Sequence, residues 1–200
     1  MPSTKARVRR SPEAAKALFL KCAEELLVSQ GLAAVQMRAV ARLANVTDAA
    51  VAHHFRNRDG LLEALMNQVA AKVRAAIGAA AEAWTGDAST VLQLVSILDD
   101  LYSKGYAELA QALYSAGWRE TGSPILNPVA ETLIATNQNP TIDADDIRRV
   151  LATLHMDLAL SPIYGAAFQQ SVGLKARPTR RVEHLKWWAH TIETMLSDRK

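Results

Sequence analysis

With 200 residues, half of them hydrophobic, the chain is long enough for one large domain or for a small one beside a medium one. No run approaches the roughly 18 consecutive apolar residues of a membrane span, and the basic start, Met1 to Arg10, lacks the apolar core of a secretory signal. The net charge of +3 hides an asymmetry: residues 1–60 carry ten Lys and Arg against five acids, whereas residues 61–200 carry thirteen against fifteen. A basic front end on a mildly acidic body is the footprint of a chain that meets a polyanion with one end. The single cysteine, Cys22, can form no internal disulfide and sits on an apolar stripe, which fits core packing and a reducing cytoplasm, the expected location.

Nearly every periodic segment has helical spacing and strand-like alternation is absent, so an all-α fold of about nine helices is expected. Ser11 caps the first helix, with Pro12 at its first position. Ala15, Leu18, Phe19, Cys22, Ala23, Leu26 and Leu27 form its apolar face, and Gly31 stops it. A short helix follows from about Arg38 to Ala44, with Val40, Ala41 and Ala44 inward. A tight turn at Asn45-Val46 leads to a second short helix, opened by Thr47 and closed by Phe55.

Asn57 caps a fourth helix that runs past Leu61, Leu62, Leu65, Met66 and Val69 to about Trp84. A domain boundary is expected on this helix near residue 60, giving a domain at 1–60 with a basic arm at 1–10, and a second domain at 61–200. A rigid helix shared by two domains would transmit motion between them. Thr85 to Asp87 break the chain, and five helices are predicted beyond, at about 89–103, 105–119, 125–137, 143–172 and 179–198. Gly117, Gly122 to Pro124, Asn137 to Pro140, Gly173 and Pro178 separate them, and Pro162 should kink the penultimate one.

The informative stretch is Met37 to Phe55, MRAVARLANVTDAAVAHHF. Two helices of about two turns each, crossing steeply, need a small residue at the closest approach, which Ala41 supplies. They also need a left-handed backbone at the turn, which Asn45 tolerates better than other non-glycine residues. Val46 and Val51 are expected to bury beneath the pair, and Thr47 offers an N-cap oxygen. Helix, three-residue turn, helix is the arrangement that presents the second helix to the DNA major groove by its N-terminus. The expected outward face of that helix carries Ala49, Ala50, His53 and His54.

From Leu18 to Val69 the chain resembles the TetR family of bacterial transcriptional regulators. The matching residues are Gly-Leu-Ala-Ala-Val (31–35), Met-Arg-Ala-Val-Ala (37–41), Val-Thr (46–47), His-His-Phe (53–55) and Asn-Arg-Asp (57–59) before Leu61-Leu62. The resemblance implies a homodimer whose two copies of the third helix read a pseudo-palindromic operator, and a divergent C-terminal domain that binds a small molecule and dimerises. It implies that Arg38 reaches a guanine edge or a phosphate, that His54 and Arg58 bind phosphate, and that Thr47 does so as well. Ala49 and Ala50 are small enough to meet thymine methyls, and His53 is left between base and backbone. The tail from Lys5 to Arg10 is a phosphate or minor-groove arm, or a solubilising tail.

The chain also departs from the family pattern. Asn45 stands where glycine is usual, Gln36 where threonine often caps the second helix, and Ala52 where a tyrosine usually contacts the backbone. Asp48 replaces a basic or neutral residue; it suits the helix dipole, opposes nearby phosphate, and could accept from a cytosine amino group.

In the second domain, Tyr102, Tyr106, Tyr114 and Trp118 offer aromatic faces with polar edges, and His155 and Asp157 interrupt an otherwise apolar helix. Tyr114, Trp118 and His155 are the expected lining of a small-molecule pocket. Ile147, Val150, Leu151, Leu154 and Leu158 form one stripe, and Leu185, Trp188, Ile192, Met195 and Leu196 another. Paired across a two-fold axis, the last two helices would make a four-helix bundle.

No nucleophile elbow, phosphate loop, paired-carboxylate motif or Cys/His metal spacing occurs. Adjacent His53 and His54 diverge by ~100° on a helix, so neither enzyme, cofactor nor metal is expected. The expected function is ligand-responsive transcriptional control, by repression with operator release. The alternatives are activation, or a helical interaction protein whose DNA binding is weakened at Asp48 and Ala52.

Overall fold

The computed structural model describes residues 11–83, 88–119, 124–175, 177 and 179–197. Among these, α1 spans Pro12–Gln30, α2 Met37–Leu43, α3 Asp48–Phe55, α4 Arg58–Glu82 and α5 Ala88–Leu101. After a kinked turn come α6 at Ala107–Ser115, α7 at Asn127–Thr136, α8 at Ala144–Ser171 and α9 at Arg180–Leu196. The described residues contain no strand, as the spacing predicts, and no helix among them is long and apolar enough to cross a membrane. The basic arm at 1–10 and the expected breaks at 85–87, 122–123 and 178 lie outside the described residues.

The chain divides into two compact units between Leu65 and Met66, within α4. In the first unit the local signals act as expected. The Ser11 hydroxyl accepts from Ala14 N at 3.2 Å, and Gly31 ends α1 with its amide on Leu27 O. Asn57 Oδ1 accepts from Gly60 N at 2.9 Å at the start of α4. Phe19, Cys22, Ala23, Leu26 and Leu27 of α1 are buried, as is Leu20, which lies off the expected stripe; Ala15 and Leu18 are half-buried. Val35, Val40, Ala41, Ala44, Val51, Phe55, Leu61, Leu62 and Leu65 are buried with them in this small core.

In the second unit α9 packs chiefly against α5, and α8 against α7, α5 and α6. The α5–α6 break comes at Gly105, whose φ of 91° is a left-handed conformation that a side chain would strain. Asp99 of α5 is buried and is held by α9: Arg181 donates from Nε to Oδ2 at 2.6 Å and from Nη2 to Ser103 Oγ at 2.7 Å. A buried carboxylate without such a partner would be expelled or protonated. Asp143 opens α8 with a reciprocal capping box: its Oδ1 accepts from Asp146 N at 2.8 Å. The loop before α8 clasps the end of α9, with Asn139 Nδ2 donating to Met195 O at 2.9 Å and Gln138 N to Leu196 O at 3.2 Å.

One expectation changes here. The apolar stripes assigned to a dimer surface are largely the chain's own core: Ile147, Leu151, Leu154, Leu158, Trp188 and Ile192 are buried within it. The exposed apolar residues of α8 and α9 lie elsewhere, including Met156, Leu160, Phe168, Val182 and Trp187. Hydrophobic spacing identifies a face that seeks cover, and here neighbouring helices α5, α6 and α7 already provide it.

Candidate nucleic-acid interface

The α2–α3 pair is assembled by backbone chemistry that the sequence dictates. Val46 N donates to Ala41 O at 3.0 Å across the turn, and Asn45 takes the left-handed φ of 54° that the turn needs. The Thr47 hydroxyl accepts from Ala50 N at 3.3 Å and so caps α3. Gln36 makes no such cap for α2; its amide Nε2 donates to Ala33 O at 3.1 Å instead. Val51 and Phe55 anchor the inner side of α3.

The outer side of α3 exposes Thr47, Asp48, Ala49 and His53. Ala50 and Ala52 are half-buried, so the expected outward face is rotated toward Asp48 and Ala49. Arg38, the second residue of α2, stands beside this face, with Nε donating to Asp48 Oδ2 at 3.1 Å. Both side chains remain open to solvent, Arg38 at 91% and Asp48 at 54% exposure.

Two of the expected phosphate ligands sit differently from the expectation. Arg58 turns back into its own domain, with Nε donating to Val35 O at 2.8 Å and Nη2 to Leu32 O at 3.0 Å. It is a strut between the start of α4 and the turn after α1, not an outward cation. The His54 ring is half-buried and packs edge-on to Phe19, centroids 5.4 Å apart, while the His53 ring is exposed. A residue missed by spacing is Arg56, exposed at the C-cap of α3 with a φ of 67°. Its only sequence signal is position, immediately after the helix-closing Phe55.

Residues 19–65 match the family model described as bacterial regulatory proteins, tetR family. The N-terminal domain is a tetR-family domain. No curated protein matches the chain. Solved structures do match over nearly its whole length, and with them the fold extends beyond the tetR-family domain. A protein of unknown function from Rhodococcus sp. RHA1 aligns with a TM-score of 0.57 at 20% identity, covering 98% of this chain and 100% of that one. BioQ from Mycobacterium smegmatis aligns at 0.51 and 21% identity, covering 90% and 98%. The fatty acid degradation regulator FadR from Bacillus halodurans aligns at 0.53 and 13% identity, covering 94% and 96%. At these identities the likeness is one of fold. The chain therefore pairs a helix-turn-helix domain that matches the tetR-family model with a helical C-terminal domain whose fold is like that of these solved structures.

In that C-terminal domain the three expected pocket residues form two separate pairs. Tyr114, 47% exposed at the end of α6, meets Trp118 edge-on at 5.4 Å between centroids, and the Arg119 guanidinium lies 5.7 Å over its ring. His155 is half-buried on α8, its Nε2 2.6 Å from the Tyr102 hydroxyl. A groove of about 730 Å³ lies between α8 and α9, walled by Met156, Leu160, Phe168, Leu174, Trp187 and Trp188, and none of the three expected residues lines it. On its wall one oxygen, Asp157 Oδ2, accepts from both His184 Nε2 at 2.5 Å and Trp188 Nε1 at 2.8 Å. The hydrogen bond to Asp157 raises His184 above the ordinary imidazole value, more than burial lowers it. Burial pushes Asp157 up, but the bonds from His184 and Trp188 outweigh it and hold the carboxyl below its usual range.

Proposed function

We propose that this chain is a DNA-binding transcriptional regulator that represses from a pseudo-palindromic operator and is released by a small molecule. The observation that carries the reading is the α3 face: a capped, two-turn helix whose exposed side is built of Thr47, Asp48, Ala49 and His53, with Arg38 at its flank. Small and polar groups there permit approach to base edges, and the buried Val51 and Phe55 hold the helix rigidly enough to present them.

The regulator acts as a homodimer. The surface that favours self-association is the exposed apolar part of α8 and α9, where Phe168 is 63% and Trp187 55% exposed beside the groove. Exposed apolar side chains gathered at one groove favour an interaction site there, and a second copy is the partner that a palindromic operator requires. Two half-sites are then expected about one turn of DNA apart, roughly 34–36 Å. The effector site is assigned to the interior of residues 66–200, where the Tyr102–His155 couple supplies polar groups among apolar helices.

The experiment is a mobility-shift series on DNA from the gene's own upstream region, with sedimentation of the same samples. The expected result is a dimer that retards the fragment with a steep salt dependence. Alanine at Arg38 and His53 should abolish retardation, and the pair Phe168→Glu and Trp187→Glu should give a monomer. Retardation unchanged by the first pair overturns the assigned face; a wild-type monomer at micromolar concentration overturns the dimer.

A further inference from the structure

The contact between Arg38 and Asp48 joins the first turns of α2 and α3 on the exposed face. An acid at that place is at first sight a fault, because it repels the phosphates a reading helix must approach. Its geometry suggests a different role. Exposed ion pairs contribute little to stability, and with both partners open to solvent the bridge does nothing for the core. What it does is fix the direction of a long, rotamer-rich side chain. With Nε engaged by Asp48 Oδ2 at 3.1 Å, the terminal Nη1 and Nη2 edge of Arg38 is the edge that remains to present outward. Two parallel N–H groups on one edge are what the O6 and N7 acceptors of a guanine accept in the major groove. A phosphate accepts the same fork, so the choice between base and phosphate turns on the direction in which Asp48 holds that edge.

We propose that Asp48 is a positioning residue for base reading: it aims Arg38 at a guanine and discourages the same arginine from settling on a phosphate. The inference rests on the DNA-binding reading of α3 given above. It predicts a division of labour between affinity and discrimination. The carboxylate reduces binding to DNA in general and increases the preference for the base that Arg38 reads, because an arginine already held in its reading pose loses less freedom on binding.

The test is selection of binding sites from a randomised duplex library by the wild-type protein and by Asp48→Asn, Asp48→Glu, Arg38→Lys and the double variant Asp48→Asn with Arg38→Lys. Affinities are then measured for the selected site and for the site with its most invariant guanine replaced, across a salt series. Asp48→Asn is expected to lose about tenfold or more of the preference at that guanine while binding unrelated DNA more tightly and with a steeper salt slope by about one. Asp48→Glu should restore part of the preference. In the Arg38→Lys background, which keeps the charge but not the fork, Asp48→Asn should change discrimination no further.

If Asp48→Asn tightens binding to every sequence and leaves the guanine preference intact, Asp48 only repels and the positioning role is overturned. If discrimination falls equally in both Arg38 backgrounds, Asp48 acts independently of Arg38, for example by accepting from a cytosine, and the proposal is again overturned. If the wild-type protein enriches no sequence, the DNA-binding reading itself fails, which is a separate result. Thermal melts of each variant confirm that the exposed substitutions leave the fold in place.

Discussion

The guanidinium of Arg58 donates to the carbonyl of Val35 at 2.8 Å and to that of Leu32 at 3.0 Å, across more than twenty residues of chain. A cation in a DNA-binding motif is thus a structural fastener. Arg58→Ala would leave the partly buried Val35 carbonyl without its Arg58 donor and Leu32 O with only its 3.2 Å bond from Val35 N, at about 1–3 kcal/mol. The expected outcome is a clear fall in the unfolding midpoint of the N-terminal domain. Well below that midpoint, the salt slope of DNA binding should match wild type. A slope reduced by one unit would return Arg58 to the phosphate backbone.

Asp157 and His184 make stability depend on pH with a definite sign. The folded His184 holds its proton more tightly than the ordinary imidazole, so its contribution is complete below about pH 6.5 and is lost as pH rises through the raised value. Asp157 is the reverse: its contribution is present above about pH 4 and is lost as pH falls through the lowered value. The pair therefore stabilises most between those limits. Urea unfolding should separate wild type from His184→Gln more widely at pH 6 than at pH 9. An equal separation at both would mean that the imidazolium is not what Asp157 binds.

Two glycines in α4 should respond to alanine with opposite signs. A Cβ on Gly60 would sit 2.3 Å from the carbonyl oxygen of Phe55, at the close passage from α3 into α4, whereas one on Gly78 would meet nothing within 4 Å. Gly60→Ala is expected to destabilise by about 1–3 kcal/mol. Gly78→Ala should stabilise by roughly 0.5–1 kcal/mol through helix propensity alone. Denaturant midpoints of the two variants read the contrast directly.

The Cys22 thiol is buried on α1, and burial, assisted by Glu25, pushes it above the ordinary thiol value. Ellman's reagent should react with it only as fast as the domain opens, and quickly in urea. Rapid labelling of the native protein would contradict this packing.

The sequence was most legible where a rule is local. Ser11, Thr47 and Asn57 each accept a bond from an amide three residues on, and Asn45 bears the positive φ, because caps and tight turns depend on a few neighbouring residues. Longer-range questions were less legible. The apolar period of α8 marks Leu151, Leu154 and Leu158 for burial without saying against which helix, and the answer lies in the chain itself. From its letters Arg58 reads as a DNA ligand; its bonds to the Leu32 and Val35 carbonyls become visible only in the fold. Tyr114 and His155 are both plausible pocket residues by type, yet one is exposed at the end of α6 and the other is bonded to Tyr102 on α5's continuation. Likewise Arg38 and Asp48 are ten positions apart, and no periodicity announces that they touch.

The Asp99–Arg181 contact has a consequence for how the C-terminal domain finds its form. Greasy helix surfaces are forgiving: α9 displaced along α5 by one turn, about 5.4 Å, could still cover most of the same apolar area. A buried carboxylate is not forgiving, because the displaced arrangement would leave Asp99 facing hydrocarbon without its counter-charge. The pair thus favours the docking that satisfies Asp99 over near-miss arrangements that hydrophobic cover alone would accept.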